Sequence, residues 1–170
     1  MRRAVFWLLF AAMAGIYGAM LFWSLPRLEA MAGGQVPFDL RPTGYSLAEA
    51  QDLLAALGAE GRAYYLGVQQ SLDSAYPALY AVVMVMAFRA LLAGWWGRVL
   101  GLLALAGAAF DYLENARVAV MLRLPPEAVS EAMVAAASLA TVLKSATVAL
   151  ALVSVSVLLA RRAQRRWGRM

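Results

Sequence analysis

Four long apolar runs constrain this sequence more than any other feature. They cover approximately residues 4–25, 74–96, 99–122 and 133–160. A helix rises about 1.5 Å per residue, so each run can cross a hydrocarbon core about 30 Å thick. The chain is also 64% hydrophobic and only 15% charged, whereas soluble domains are roughly half apolar and a quarter charged. The sequence therefore predicts an all-α integral membrane protein, with residues 1–170 forming one membrane domain built as a bundle of four transmembrane helices.

A secretory signal peptide is the alternative interpretation of the first run. Arg2 and Arg3 precede it, and Ala30-Met31-Ala32 resembles a small-residue cleavage site. The apolar core of a signal peptide is usually only about 7–15 residues long, however. The length of the run favours a helix that is retained.

The distribution of arginines predicts the orientation. Nine arginines fall on one side of the predicted spans and four on the other: Arg2, Arg3, Arg89, Arg98, Arg161, Arg162, Arg165, Arg166 and Arg169 against Arg27, Arg41, Arg62 and Arg123. Positive charge accumulates in cytoplasmic segments. We therefore expect both termini in the cytoplasm, an extracytoplasmic loop at residues 26–73, and insertion in the inner membrane of a bacterium.

The predicted loop contains a helix-start signal. Ser46 and Glu49 have the spacing of a capping box, and Gly58 is a natural helix terminator. Apolar residues recur between them at helical spacing, namely Leu47, Ala50, Leu53, Leu54 and Leu57. An amphipathic helix must cover an apolar surface, so we expect it on the outer bilayer face or across the mouth of the bundle. It would act there as a packing lid or as a gate for a lipid.

The third run carries the strongest functional signal, a set of charges inside the membrane. Asp111 and Glu114 lie about 18 and 22 Å along the predicted helix, and Asn115 projects from the same side within an arc of about 100°. Lys144 reaches a similar depth from the opposite direction, so we expect it to meet Asp111. Arg117 follows Glu114 by three residues and could pair with it. Such charges must pair or face a hydrated cavity.

A second polar stripe approaches the same region from the second span. Asp73, Tyr76 and Tyr80 recur at helical spacing, but Pro77 interrupts them. Either Asp73 or Ser74 caps a new helix, or one helix kinks at Pro77. The predicted ligand-binding residues are Asp73, Tyr76, Tyr80, Asp111, Glu114, Asn115, Arg117 and Lys144.

Composition excludes several classes of function. The chain has no cysteine and no histidine, which makes haem and zinc unlikely and removes the usual catalytic triads. The oxygen donors suit Mg²⁺ or Ca²⁺, but Lys144 and Arg117 balance their charge, so no metal or other cofactor is predicted. The net charge of +5 arises from arginines that flank the last span, which indicates a membrane anchor and no nucleic acid.

These observations favour a membrane protein with an acidic intramembrane pocket that opens towards the outer leaflet and binds a lipid or another amphipathic molecule. One alternative is a lipid-modifying enzyme that uses Asp111 and Glu114 as acid and base. The other is a non-catalytic accessory subunit whose polar residues only hold the bundle together. The partners to consider are therefore membrane lipids, a larger protein complex and a second copy of the chain.

Overall fold

The computed structural model describes residues 2–167, and within that range every regular element is a helix. Four helical segments are long and apolar enough to cross a membrane: Arg3–Met31, Leu47–Leu91, Trp95–Leu122 and Glu131–Arg165. The predicted all-α class and the four candidate transmembrane helices are confirmed. Arg169, which was counted in the charge argument, lies outside the described residues.

Six α-helices follow one another along the chain: α1 (Arg2–Ala19), α2 (Leu25–Met31), α3 (Leu47–Tyr64), α4 (Gln70–Leu91), α5 (Trp95–Leu122) and α6 (Glu131–Trp167). π-helical turns at Met20–Ser24 and Tyr65–Gln69 join α1 to α2 and the second part of α3 to α4. Helix α3 itself is broken at Gly58. Short 3₁₀ turns lie at Phe38–Leu40 and Pro126–Ala128.

The turn between α4 and α5 differs from the prediction by a few residues. We expected the second span to continue to Trp96, but α4 ends at Leu91. Gly94 has φ 77° and ψ −147°, a conformation that residues with a Cβ atom rarely adopt. It reverses the chain direction, so Trp95 and Trp96 belong to the first turn of α5.

Helix α5 is the central helix, because it packs extensively against both α4 and α6, whereas α1 packs on α4. Its buried side is a stripe of small residues at spacings of three and four: Gly97, Gly101, Ala104, Gly107 and Ala108. A Cβ atom at Gly107 would lie 3.2 Å from the Thr147 hydroxyl of α6. Small residues of this kind allow helix backbones to approach closely in a membrane.

The helix predicted in the loop lies across one end of the bundle. Ser46 caps it through the expected box: the Ser46 hydroxyl accepts from the Glu49 amide at 3.3 Å, and the Glu49 carboxylate accepts from the Ser46 amide at 2.7 Å. Its first segment ends at Gly58, which has φ 59°. Leu53 and Leu54 are fully buried, so α3 covers the mouth of the bundle.

The capping box predicts a pH-dependent contribution to stability. Hydrogen bonds from the Ser46 amide and hydroxyl lower the pKa of Glu49 below its ordinary value of 4.5. A carboxylate with a lowered pKa stabilises the fold above that ordinary value, and the effect is lost as the pH falls through the lowered pKa. We expect Glu49→Gln to lower the melting temperature at pH 7 and to lower it less at pH 3, because the contribution of the carboxylate decreases as the pH falls towards its lowered pKa. Thermal unfolding in detergent at both pH values measures this, with Glu60→Gln on the same helix as the control.

Two buried apolar clusters fill the interior. The first lies at the end covered by α3 and includes Leu28, Leu54, Tyr65, Met121 and Val134. The second lies further along the same helices and includes Tyr80, Met84, Phe88, Ala104 and Ala151. On each of α4, α5 and α6 the buried polar residues occur between these two clusters. The polar side chains therefore form a layer enclosed above and below by apolar packing.

Candidate functional site

We call six side chains of this region the polar layer: Gln69, Asp73, Asp111, Glu114, Thr141 and Lys144. Five of them are buried, and Lys144 is the partly exposed exception. Gln69 lies in the π-helical turn, Asp73 on α4, the next two residues on α5 and the last two on α6. Burying ionisable groups without partners costs several kcal/mol each. Whether the fold tolerates these buried charges therefore depends on the hydrogen bonds and ion pairs within the layer.

Lys144 is the centre of the layer. Its Nζ atom lies 3.2 Å from Asp111 Oδ1 and 2.5 Å from Glu114 Oε2. The hydroxyl of Thr141 donates to the other Glu114 oxygen at 2.6 Å. The predicted contact between Lys144 and Asp111 is confirmed, and Glu114 shares the same ammonium group.

Asp73 belongs to the same region but has different partners. Gln69 Nε2 donates to Asp73 Oδ2 at 2.8 Å, one helical turn earlier in the chain. The carboxyl group of Asp39, in the loop, lies close enough to that of Asp73 for their negative charges to repel each other. The loop therefore contributes a fourth acid to the site.

Asp39 was missed in the sequence analysis, which identified only the helix that begins after Ser46 within the loop. Its neighbour Phe38 is fully buried and packs against Tyr45 and Tyr65, with ring centroids 4.7 and 6.3 Å away. The Tyr65 hydroxyl also donates to Asp39 Oδ2. The aromatic contacts thus direct the Asp39 carboxyl group towards the helices.

Asn115 stabilises a proline kink. Of the two alternatives for Pro77, the structure has one helix that continues through it, because α4 extends from Gln70 to Leu91. Proline has no N–H group, so the carbonyl of Asp73 loses its helical donor. Asn115 Nδ2 donates to that carbonyl at 3.1 Å, and the Tyr112 hydroxyl donates to the next carbonyl, that of Ser74, at 2.9 Å.

This arrangement predicts that the effects of Asn115 and Pro77 are coupled. Asn115→Ala leaves the Asp73 carbonyl without a donor, which is expected to cost about 1–3 kcal/mol. In a Pro77→Ala background residue 77 regains its N–H group, and the same substitution should cost less. A double-mutant cycle on the free energy of unfolding measures the coupling. Equal costs in the two backgrounds would contradict this role for Asn115.

Arg117 does not join the polar layer. The sequence predicted a pair with Glu114, but the Arg117 guanidinium donates to the Ala136 carbonyl of α6 instead. Both ion pairs of the described residues involve Lys144. Four acids thus face a single ammonium group, and the charge balance expected from Lys144 with Arg117 is not formed.

Three tyrosine rings stack beside the layer. The ring centroids of Tyr17 and Tyr76 are 5.7 Å apart, and those of Tyr76 and Tyr80 are 6.1 Å apart. Tyr76 lies close to both Asp111 and Lys144, whereas Tyr17 on α1 is half exposed. The stack therefore extends from the surface of the bundle to the polar layer.

The surface of the bundle also has two shallow grooves. One of about 480 Å³ lies between α5 and α6 and is lined by Ala116, Arg117, Val120, Ala132, Met133 and Ala136. The other, of about 570 Å³, is formed by the loop and the start of α3. Neither is lined by a residue of the polar layer. Within residues 2–167, no group of three acidic side chains converges closely enough to hold a metal ion.

Comparison of the chain with models of protein families, with curated proteins and with solved structures finds no match.

Proposed function

We propose that this protein is an integral membrane protein that binds a lipid or another amphipathic molecule at the polar layer. The polar head would contact the carboxyl groups of Asp73 and Asp111, and the apolar tail would extend between α1 and α6 into the bilayer. Membrane insertion is supported by the four long apolar helices. The arginine distribution supports an inner-membrane protein with both termini in the cytoplasm and α3 at the outer face.

The partial exposure of Lys144 carries this proposal. Its side chain is 15% exposed, whereas those of Asp111 and Glu114 are 6% and 1% exposed. Among the described residues, α1 and α6 make no extended contact with each other. The Tyr17 ring of α1 stacks on Tyr76 of α4, and Tyr76 lies within electrostatic range of Lys144. A ligand from the bilayer would therefore reach the layer beside these rings without unfolding a helix.

The competing function is that of a non-catalytic subunit whose polar layer only holds the helices together. One observation favours it, because Lys144 already pairs with both acids of α5. The exposed apolar side chains of α1, such as Trp7, Leu8 and Phe10, would then contact a partner protein or lipid tails. In this case the polar layer needs no ligand.

Native mass spectrometry combined with lipid analysis distinguishes the two functions. Protein purified in a mild detergent is expected to retain a defined amphipathic molecule, and the Asp111→Asn variant to lose it. Asp52→Asn, which alters an exposed acid of α3, is the matched control and should retain the molecule. An empty wild-type protein, combined with a lower melting temperature of Asp111→Asn, would favour the subunit instead.

A further inference from the structure

The polar layer and Asp39 contain more hydrogen-bond acceptors than donors. Four carboxyl groups receive hydrogen bonds or ion pairs from only four side chains: Tyr65, Gln69, Thr141 and Lys144. Gln69 is fully buried, and its Oε1 atom has no partner. An amide oxygen can only accept a hydrogen bond. A group that binds at this position must therefore donate a hydrogen bond to Gln69 Oε1.

A second buried atom adjoins the same acids. Tyr80 is only 3% exposed, and its hydroxyl has no hydrogen-bond partner. This hydroxyl lies within electrostatic range of the Asp111 carboxyl group. Buried polar atoms without partners are rare in native proteins, and they often mark an absent ligand or water. The two unpartnered atoms belong to residues eleven positions apart on one continuous helix, about 16 Å along its axis. They therefore mark two positions, and Gln69 Oε1 is the one beside Asp73.

The charge of the region indicates which donor is missing. Among the described residues, the only ammonium group that pairs with these acids is that of Lys144, and it contacts just two of them, Asp111 and Glu114. Three arginines of the surrounding segments donate to backbone carbonyls instead: Arg41, Arg62 and Arg117. An anionic head group would be repelled. A cationic head group would restore the balance and would also contact the tyrosine rings through cation–π attraction.

We propose that the polar head recognised at the polar layer is a primary ammonium group carried by an amphipathic amine. This inference rests on the proposed function and specifies its ligand class. A primary ammonium group supplies three N–H donors, enough for Gln69 Oε1 and two carboxylates. A bare metal ion fits less well, because the acids within residues 2–167 do not converge on one point.

The test compares four probes with the same twelve-carbon chain: dodecylammonium, dodecyltrimethylammonium, dodecanol and dodecanoate. Each is titrated below its micellar concentration into full-length protein in lipid nanodiscs, and heats from empty nanodiscs are subtracted. Dodecylammonium is expected to bind at least about tenfold more tightly than each of the others, which corresponds to about 1.4 kcal/mol. Asp73→Asn should remove this preference, whereas the control Asp52→Asn should keep it.

The other outcomes separate the two proposals. Equal, saturable binding of dodecylammonium and dodecanol would overturn the ammonium inference and leave amphipath binding intact. Equal binding of the trimethyl probe would show that charge without N–H donors suffices, which also overturns the inference. The absence of saturable binding for every probe would overturn both proposals. If Asp73→Asn does not fold, Gln69→Met, which removes the unpartnered Oε1 atom, decides, and an undiminished preference in that variant contradicts the inference.

The amine could be free or part of a phospholipid head group. A second pair of probes distinguishes these sources: lysophosphatidylethanolamine, which has a primary ammonium group, and lysophosphatidylglycerol, which has none. Preferential binding of the ethanolamine lipid identifies a head-group site. Binding of dodecylammonium alone identifies a free amine as the ligand, because the adjacent phosphate is then rejected by the acids.

Discussion

Lys144→Met is expected to lower the free energy of unfolding by about 3–5 kcal/mol, the usual cost of removing one partner of a buried ion pair. The ammonium group is held by two carboxylates, Asp111 and Glu114, at 3.2 and 2.5 Å. Methionine preserves the length of the side chain but leaves both acids without a cation in an apolar interior. Equilibrium unfolding in mixed detergent micelles, followed by circular dichroism, measures the loss.

Two further variants make this expectation specific. The triple variant Lys144→Met, Asp111→Asn and Glu114→Gln carries no charge at these positions and should recover part of the lost stability. Arg117→Met also removes a cation from a membrane helix, but Arg117 contacts only a backbone carbonyl, so its cost should be smaller. Equal costs for the two single variants would refute a special role for the Lys144 ion pairs.

Phe38→Ala is expected to cost a similar amount, about 3–5 kcal/mol, because it removes a large ring from a packed interior. Phe38 is fully buried between the rings of Tyr45 and Tyr65. Leu40 lies in the same 3₁₀ turn but is 42% exposed, so Leu40→Ala should change stability by only about 0.5 kcal/mol. Chemical unfolding of the two variants under identical conditions provides the comparison.

A small cost for Phe38→Ala would mean that the loop is not fixed to the bundle. The Asp39 carboxyl group would then have no defined position next to Asp73, and the acceptor excess of the site would be reduced. The measurement thus tests the part of the candidate site that the sequence analysis did not find.

Local patterns in the sequence were sufficient for the helices and for part of the site. The capping box at Ser46, the break at Gly58 and the meeting of Lys144 with Asp111 follow from spacing and from depth along a helix, and the structure agrees with each. These features depend on a regular rise per residue, so a single sequence contains enough information to predict them.

The remaining features depend on contacts between distant segments. Asp39 reaches the site because Phe38 is buried and because the Tyr45 amide donates to the Ser138 hydroxyl, 93 residues away in sequence, at 2.9 Å. No local pattern specifies this contact. Arg117 had two partners within reach, Glu114 and the Ala136 carbonyl, and helical spacing alone could not decide between them. Asn115 was predicted to bind a ligand. Its contact with the Asp73 carbonyl was not predicted, because that contact depends on how α4 and α5 pack.

The position of Lys144 on α6 also affects how the protein is made. A ribosome synthesises Asp73, Asp111 and Glu114 before it reaches Lys144. In the membrane topology proposed above, α4 and α5 would therefore enter the bilayer before their cation exists. Acidic residues near the centre of a membrane helix oppose insertion by roughly 2.5–3.5 kcal/mol each. The proposed topology thus predicts that α4 and α5 are stably inserted only after the α6 segment has been synthesised.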